Sequence, residues 1–170
     1  MYNEWVIEAL NRRGIKINED GTLDVYFWGK TSQHVSDLKT AIRQQQYIID
    51  QQKSEQRENE EIGSLMRVFH ETVKEMSEMT MKKFTLEKKI EYKNNLISIL
   101  DVMSRKREDL RKDGYTRLQK VMKMIDMNNL PAANLASQAA LNRMRKRWLV
   151  NEKVIDKSLA RLEALKQLEN

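Results

Sequence analysis

The chain has 170 residues, a net charge of +6, 33% charged and 40% hydrophobic residues, and no cysteine. Disulfides, thiolate metal sites and cysteine nucleophiles are excluded outright, and no run of roughly eighteen apolar residues offers a membrane span. The N-terminal Met-Tyr-Asn-Glu-Trp lacks a basic region followed by an apolar one, so no secretory signal is expected and the expected location is cytoplasmic.

Asn3 is a suitable N-cap for a short helix carrying Trp5, Val6, Ala9 and Leu10, and Gly14 stands where a C′ glycine belongs. Ile15-Lys16-Ile17 and Leu23 to Trp28 flank Asp20-Gly21, which predicts a β-hairpin. Residues 1–31 therefore read as a small α-β-β head in which Trp5, Tyr26, Phe27 and Trp28 form either the core, the favoured reading, or an exposed aromatic docking patch. A lone hairpin is marginal in water, so a neighbouring helix or another subunit should cover one face.

Ser32 is placed to start a second helix, with a seam of Val35, Leu38, Ile42 and Ile49 interrupted by Gln45 and Gln52. Residues 50–61 hold no apolar side chain. They read either as a solvated helix or as a polar hinge, and the absence of Pro and Gly favours the helix. Heptad spacing then runs from residue 62 to residue 100, with Ile62, Leu65, Phe69, Met76, Met79, Leu86, Ile90, Ile97 and Leu100 as the apolar a and d positions. Thr72, Lys83 and Lys93 interrupt this seam. It is too polar for a tight parallel dimer and reads better as one helix of an antiparallel bundle. Beyond it the pattern lapses at Ser104, Arg107, Arg111 and Gly114, then resumes at Leu118, Val121 and Ile125. An unbroken helix from Ser32 to about Lys112 would be on the order of 120 Å long, a length that argues for self-association. Asn128-Asn129-Leu130-Pro131 is the clearest break, and Pro131 can serve as N1 of a final helix. The expected fold is mainly α, with long antiparallel helices in a bundle or coiled coil behind the head. Its segments are 1–31, 32–127 and 128–170.

Motifs for chemistry fail one by one. Gly29-Lys30-Thr31 resembles the end of a phosphate loop, but Asp24 stands where the first glycine is needed. His70-Glu71 begins like a zinc helix, but Lys74 occupies the place of the second histidine. His70 reads as a surface or flanking helix histidine. The helical carboxylates are interleaved with lysines, as on solvated surfaces. The expectation is a protein that is not an enzyme and has no cofactor, no metal and no small-molecule substrate.

The basic surplus is concentrated. Residues 101–150 hold 12 Lys/Arg against 5 Asp/Glu, whereas the other residues hold 19 against 20. Arg105, Lys106, Lys112, Arg117, Lys120 and Lys123 project onto one arc of a helix opposite Met103, Leu110, Leu118, Val121 and Ile125. Arg143, Arg145, Lys146 and Arg147 form a second cluster. Such rows bind acidic proteins, bind phosphates without reading sequence, or remain solvated.

Across residues 32–168 the chain resembles, in style, the small, methionine-rich, cysteine-free helical accessory proteins of phages and their satellites, capsid scaffolding proteins among them. That resemblance implies long helices and a basic segment that contacts coat protein; residues 3–31 are not part of the pattern. The functional expectation is a self-associating protein-protein interaction protein of the assembly or scaffolding type, with a protein partner and a homo-oligomeric state. The alternative is a sequence-nonspecific nucleic-acid-binding protein using the basic block 105–147.

Overall fold

The computed structural model describes residues 2–12, 15–25, 32–80 and 82–169. In chain order the elements are α1 (Glu4–Arg12), β1 (Ile15–Ile17), β2 (Leu23–Val25), α2 (Ser32–Glu78), α3 (Leu86–Ser104), α4 (Glu108–Asp126) and α5 (Leu130–Glu169). The chain is mainly helical and divides into two compact units, residues 55–149 and residues 1–54 with 150–170. The polar stretch 50–61 is helical throughout, within α2.

Residues 55–149 form an antiparallel four-helix bundle. Lys106 pairs with Glu61 and the Tyr92 hydroxyl donates to Glu75 at 2.9 Å, so α2 and α3 run in opposite directions. Lys93 pairs with Asp126 between α3 and α4, and Arg143 meets Asp113 at 3.3 Å between α4 and α5. Gln56 donates to the Trp148 carbonyl at 3.0 Å, which closes α5 back onto α2. The core is Ile62, Met66, Phe69, Val73 and Met76 from α2, Leu96, Leu100 and Met103 from α3, Leu110, Leu118, Val121 and Ile125 from α4, and Ala133, Ala140, Leu141 and Met144 from α5. Apolar side chains at a helical period on four helices bury one another's faces, which is the main source of stability for such a bundle. Gly114 lies inside α4, where a Cβ would sit 2.9 Å from Met66 Sδ, so its small size serves the close approach of α4 to α2.

The expected single helix through residues 62–100 is corrected. α2 ends at Glu78 and α3 begins at Leu86. Thr85 caps α3, its hydroxyl accepting from the Lys88 backbone N–H at 3.2 Å, and Phe84 packs against the bundle core. The cap satisfies an otherwise unpaired helical donor, and the plugging aromatic adds burial. Together they favour a turn without Pro or Gly. The continuous helix to Lys112 is broken again at residues 105–107, where Arg107 donates its backbone N–H to Glu58 at 2.7 Å. That second break coincides with the lapse in the heptad pattern.

The break at 128–131 is built by Asn128, which adopts a left-handed φ of 59°. Asparagine tolerates that region better than most residues. The Asn129 backbone N–H reaches the Met124 carbonyl at 2.9 Å, ending α4, and the Asn129 side chain accepts from Ala132 N–H at 3.3 Å, starting α5.

In the other unit β1 and β2 pair antiparallel, with Ile15 opposite Val25 and Ile17 opposite Leu23. Tyr2, Val6, Leu10 and Ile15 share one buried cluster with Leu38 and Ala41 of α2 and Leu165 of α5. Two helices thus cover the hairpin and α1. Trp5 is exposed and does not join this core, which corrects its expected place there. Tyr26, Phe27, Trp28 and the Gly29-Lys30-Thr31 stretch lie outside the described residues, as does Gly14, and the side chain of Val35 is likewise undescribed. Gln45 is fully buried and donates to the Ser158 carbonyl at 2.8 Å. Burial pushes the Tyr2 phenol up to about 12, against the opposing charge of Arg161 beside it.

Candidate functional site

Two kinds of surface on the four-helix bundle meet the expectations for a site: the outward face of α3 and the basic block. The heptad seam divides between core and surface. Ile62, Phe69, Met76 and Leu100 are buried, and Leu65 packs against the same core. Met79 is half-buried just beyond α2. Leu86, Ile90 and Ile97 point outward, at 74%, 51% and 52% exposure. The buried line of α3 is instead Leu96, Leu100 and Met103, flanked by the half-buried Tyr92 and Ile99. At roughly 100° per residue, that line is rotated about 100° from the one the heptads predict. The turn at 79–85 resets the register. It leaves Leu86, Ile90 and Ile97 as a second apolar stripe with no cover from the rest of the bundle.

The charges around this stripe are unequal. On its inner side Lys89 and Lys93 reach back to Asn128 and Asp126. On its outer side Glu87, Asn94 and Asp101 recur every seven residues. Asp101 holds Arg105 at 2.7 Å, and Glu91 holds Lys88 at 3.4 Å.

The basic block is brought together only in part. α4 and α5 place both clusters around one carboxylate, with Asp113 accepting from Arg117 at 3.2 Å and from Arg143 at 3.3 Å. Burial alone would raise the Asp113 pKa, but the hydrogen bonds and charges of Arg143 and Arg117 outweigh it and hold the group below its ordinary value. Arg147 donates to the carbonyls of Leu110 at 2.9 Å and Asp109 at 3.2 Å. Arg105 and Lys106 are paired with Asp101 and Glu61. Five of the ten expected contact cations, Arg105, Lys106, Arg117, Arg143 and Arg147, are therefore engaged within the bundle. Among the described residues Lys112, Lys120, Lys123, Arg145 and Lys146 are exposed and carry no ion pair. Lys112, Lys120 and Lys123 share one face of α4.

Between α2 and α5 runs a groove of about 590 Å³. Asn59, Glu60, Gly63, Ser64 and Arg67 line one wall, and Leu141, Met144, Arg145, Trp148 and Leu149 the other. The Trp148 indole N–H donates to Glu60 at 3.3 Å. Asn59 is buried, and neither polar atom of its amide has a hydrogen-bond partner. A buried amide left unpaired costs about 1–3 kcal/mol. A shallower groove of about 550 Å³ between α2 and α3 includes Leu65, Val68 and Val102, and the Lys106–Glu61 pair lies on its rim.

His70 is buried in the bundle core, which corrects its expected surface position. Its Nδ1 lies 2.7 Å from Ser137 Oγ, and that hydroxyl donates to the Asn134 carbonyl at 3.0 Å. Burial lowers the His70 pKa, and the charges of Lys74 and Arg145 lower it further, against a Gln138 hydrogen bond and the Glu71 charge. Ser137 is buried in the bundle core with His70. Sequence reasoning missed the pair because Ser137 lies 67 residues away on another helix.

Among the described residues no three His, Asp or Glu side chains come together to hold a metal ion, and no helix is long and apolar enough to cross a membrane. No family model, curated protein or solved structure matches the chain.

Proposed function

We propose that this is a non-enzymatic helical protein-interaction protein that self-associates, of the assembly or scaffolding kind. The observation that carries the reading is the outward stripe Leu86, Ile90 and Ile97. Three large aliphatic side chains stand on one helix face, half or more exposed. Contiguous apolar surface of this kind is normally covered by another protein. The 4- and 7-residue spacing is that of a helix seated against a helical surface. The buried part of the seam belongs to the folding of the monomer, and α3 carries the contact. Static light scattering across a dilution series tests this. The expected apparent mass exceeds 20.2 kDa at high concentration and falls toward it on dilution. A mass equal to the monomer at every concentration refutes self-association.

One observation favours a second reading, sequence-nonspecific nucleic-acid binding. Lys112, Lys120 and Lys123 form an exposed row on α4 with no ion pairs among the described residues. Three cations are a small footprint for phosphate-driven binding, whose affinity falls steeply with salt. Anisotropy of a labelled duplex titrated with the protein at two salt concentrations decides. This reading predicts salt-sensitive binding that Lys112→Glu, Lys120→Glu and Lys123→Glu abolish together. Binding unchanged in that variant eliminates the reading.

A further inference from the structure

Among the described residues the four-helix bundle carries an apolar stripe on α3 and apolar grooves between α2 and α5 and between α2 and α3, and the charges at their edges differ in a way that selects a pairing. The stripe from Leu86 to Ile97 extends about 16 Å along α3, at roughly 1.5 Å per residue. The α2/α5 groove extends about 12 Å from Asn59 to Arg67 on the same measure, with Gly63, Leu141 and Met144 making its apolar floor. A helix laying i and i+4 aliphatic anchors into a two-helix groove is a recurrent mode of protein recognition.

Charge separates the two grooves. The α2/α5 groove is edged by Arg67 and Arg145, both exposed and without ion pairs among the described residues, against one carboxylate, Glu60, which accepts from the Trp148 indole. The α2/α3 groove instead has Arg57 and Lys106 against Glu60 and Glu61, with Lys106 and Glu61 paired, so its charges balance. On the outer flank of the stripe Glu87 is exposed with no ion pair among the described residues and Asp101 is paired to Arg105, while the nearest lysines, Lys89 and Lys93, are turned inward to Asn128 and Asp126. An apolar ridge with an acidic edge complements an apolar groove with a basic edge.

We infer that the α3 stripe of one copy docks in the α2/α5 groove of a second copy, so that the chain assembles head to tail. This deepens the self-association proposed above and rests on it. Because ridge and groove are different surfaces, each copy presents one of each. The contact is heterologous, and growth continues until a ring closes or a filament forms.

Complementation of two variants tests the pairing. Ile90→Lys with Ile97→Lys disables the ridge, and Arg67→Glu with Arg145→Glu disables the groove. All four positions are exposed, and circular dichroism verifies the helices. Ser64→Trp, which places an indole in the groove from another exposed position, serves as a second groove variant. Sedimentation velocity is run on wild type, on each variant alone and on a 1:1 mixture. The expected result is that wild type forms a concentration-dependent series of species and each variant alone remains monomeric. The mixture then forms a dimer and nothing larger, because that dimer contains one spent pair and one disabled pair. A mixture that remains monomeric while wild type associates overturns the pairing and leaves self-association intact. A groove variant that still dimerises alone also overturns it, since ridge would then meet ridge. A wild type that is monomeric throughout overturns the underlying reading as well.

Discussion

The two halves of the heptad seam have nearly the same sequence pattern and opposite fates. Ile62, Phe69 and Met76 on α2 are completely buried, whereas Leu86, Ile90 and Ile97 on α3 are exposed. Periodicity reports that a helix has an apolar face. It does not report which surface that face meets, because intramolecular and intermolecular burial satisfy the same hydrophobic term. The turn at residues 79–85 makes the difference. It rotates α3 so that Leu96, Leu100 and Met103 enter the core while the heptad residues Leu86, Ile90 and Ile97 are left outside. Core and contact surface are thus written in one repeat and separated by one turn.

The largest expected effect breaks this contrast if it is wrong. Phe69→Ala should destabilise the chain by about 3–5 kcal/mol through lost burial and a residual cavity. Ile97→Ala should change monomer stability by less than about 1 kcal/mol, since surface substitutions away from special features rarely do more. Urea unfolding at low protein concentration measures both. Equal losses would mean that the outer stripe is part of the monomer's core.

A smaller effect sharpens where the buried half begins. Just before Ile62, α2 turns Gln56 and Asn59 into the bundle, and the Asn59 amide is unpaired. Asn59→Leu should raise stability by about 1–3 kcal/mol by removing that penalty. A fall in the thermal midpoint would show that Asn59 has a partner whose loss matters.

The smallest effect is a pH dependence confined to the buried half. The folded-state pKa of His70 lies below the ordinary 6.5. The unfolded chain therefore binds the proton more readily. Stability is full above about 6.5 and is lost as pH falls through that value toward the folded pKa. The urea midpoint should be lower at pH 5 than at pH 8, and His70→Gln should flatten the difference. A wild-type midpoint that rises on acidification over this range would contradict the burial of His70.

Much of the helical skeleton was legible. Asn128 to Pro131 announced the last connection, and the absence of Pro and Gly between residues 50 and 61 announced helix there. The lapse of apolar spacing at Ser104 and Arg107 marked a real helix end, although the same lapse read equally well as a solvated stretch. The turn at 79–85 was not legible. Its determinants are a threonine cap and the burial of Phe84, and whether such features end a helix is decided by tertiary packing. The basic block was visible as composition and as one helix arc, but its ion pairing was not. Asp113, Glu61 and Asp101 neutralise much of it, and the Lys106–Glu61 and Arg143–Asp113 pairs join residues far apart in sequence. The burial of His70 was hidden for the same reason.

Because the sequence contains no cysteine, a single introduced thiol can report directly on whether a second copy covers α3. Ile97→Cys places a single thiol on the outer face of α3, and its rate of reaction with a small maleimide is measured over a wide range of protein concentration. Labelling should be fast when the protein is dilute and slowed several-fold when it is concentrated, as a second copy covers the stripe. A rate that is slow at every concentration would place Ile97 inside the monomer. A rate that is fast at every concentration would leave the stripe uncovered and contradict its role as the contact surface.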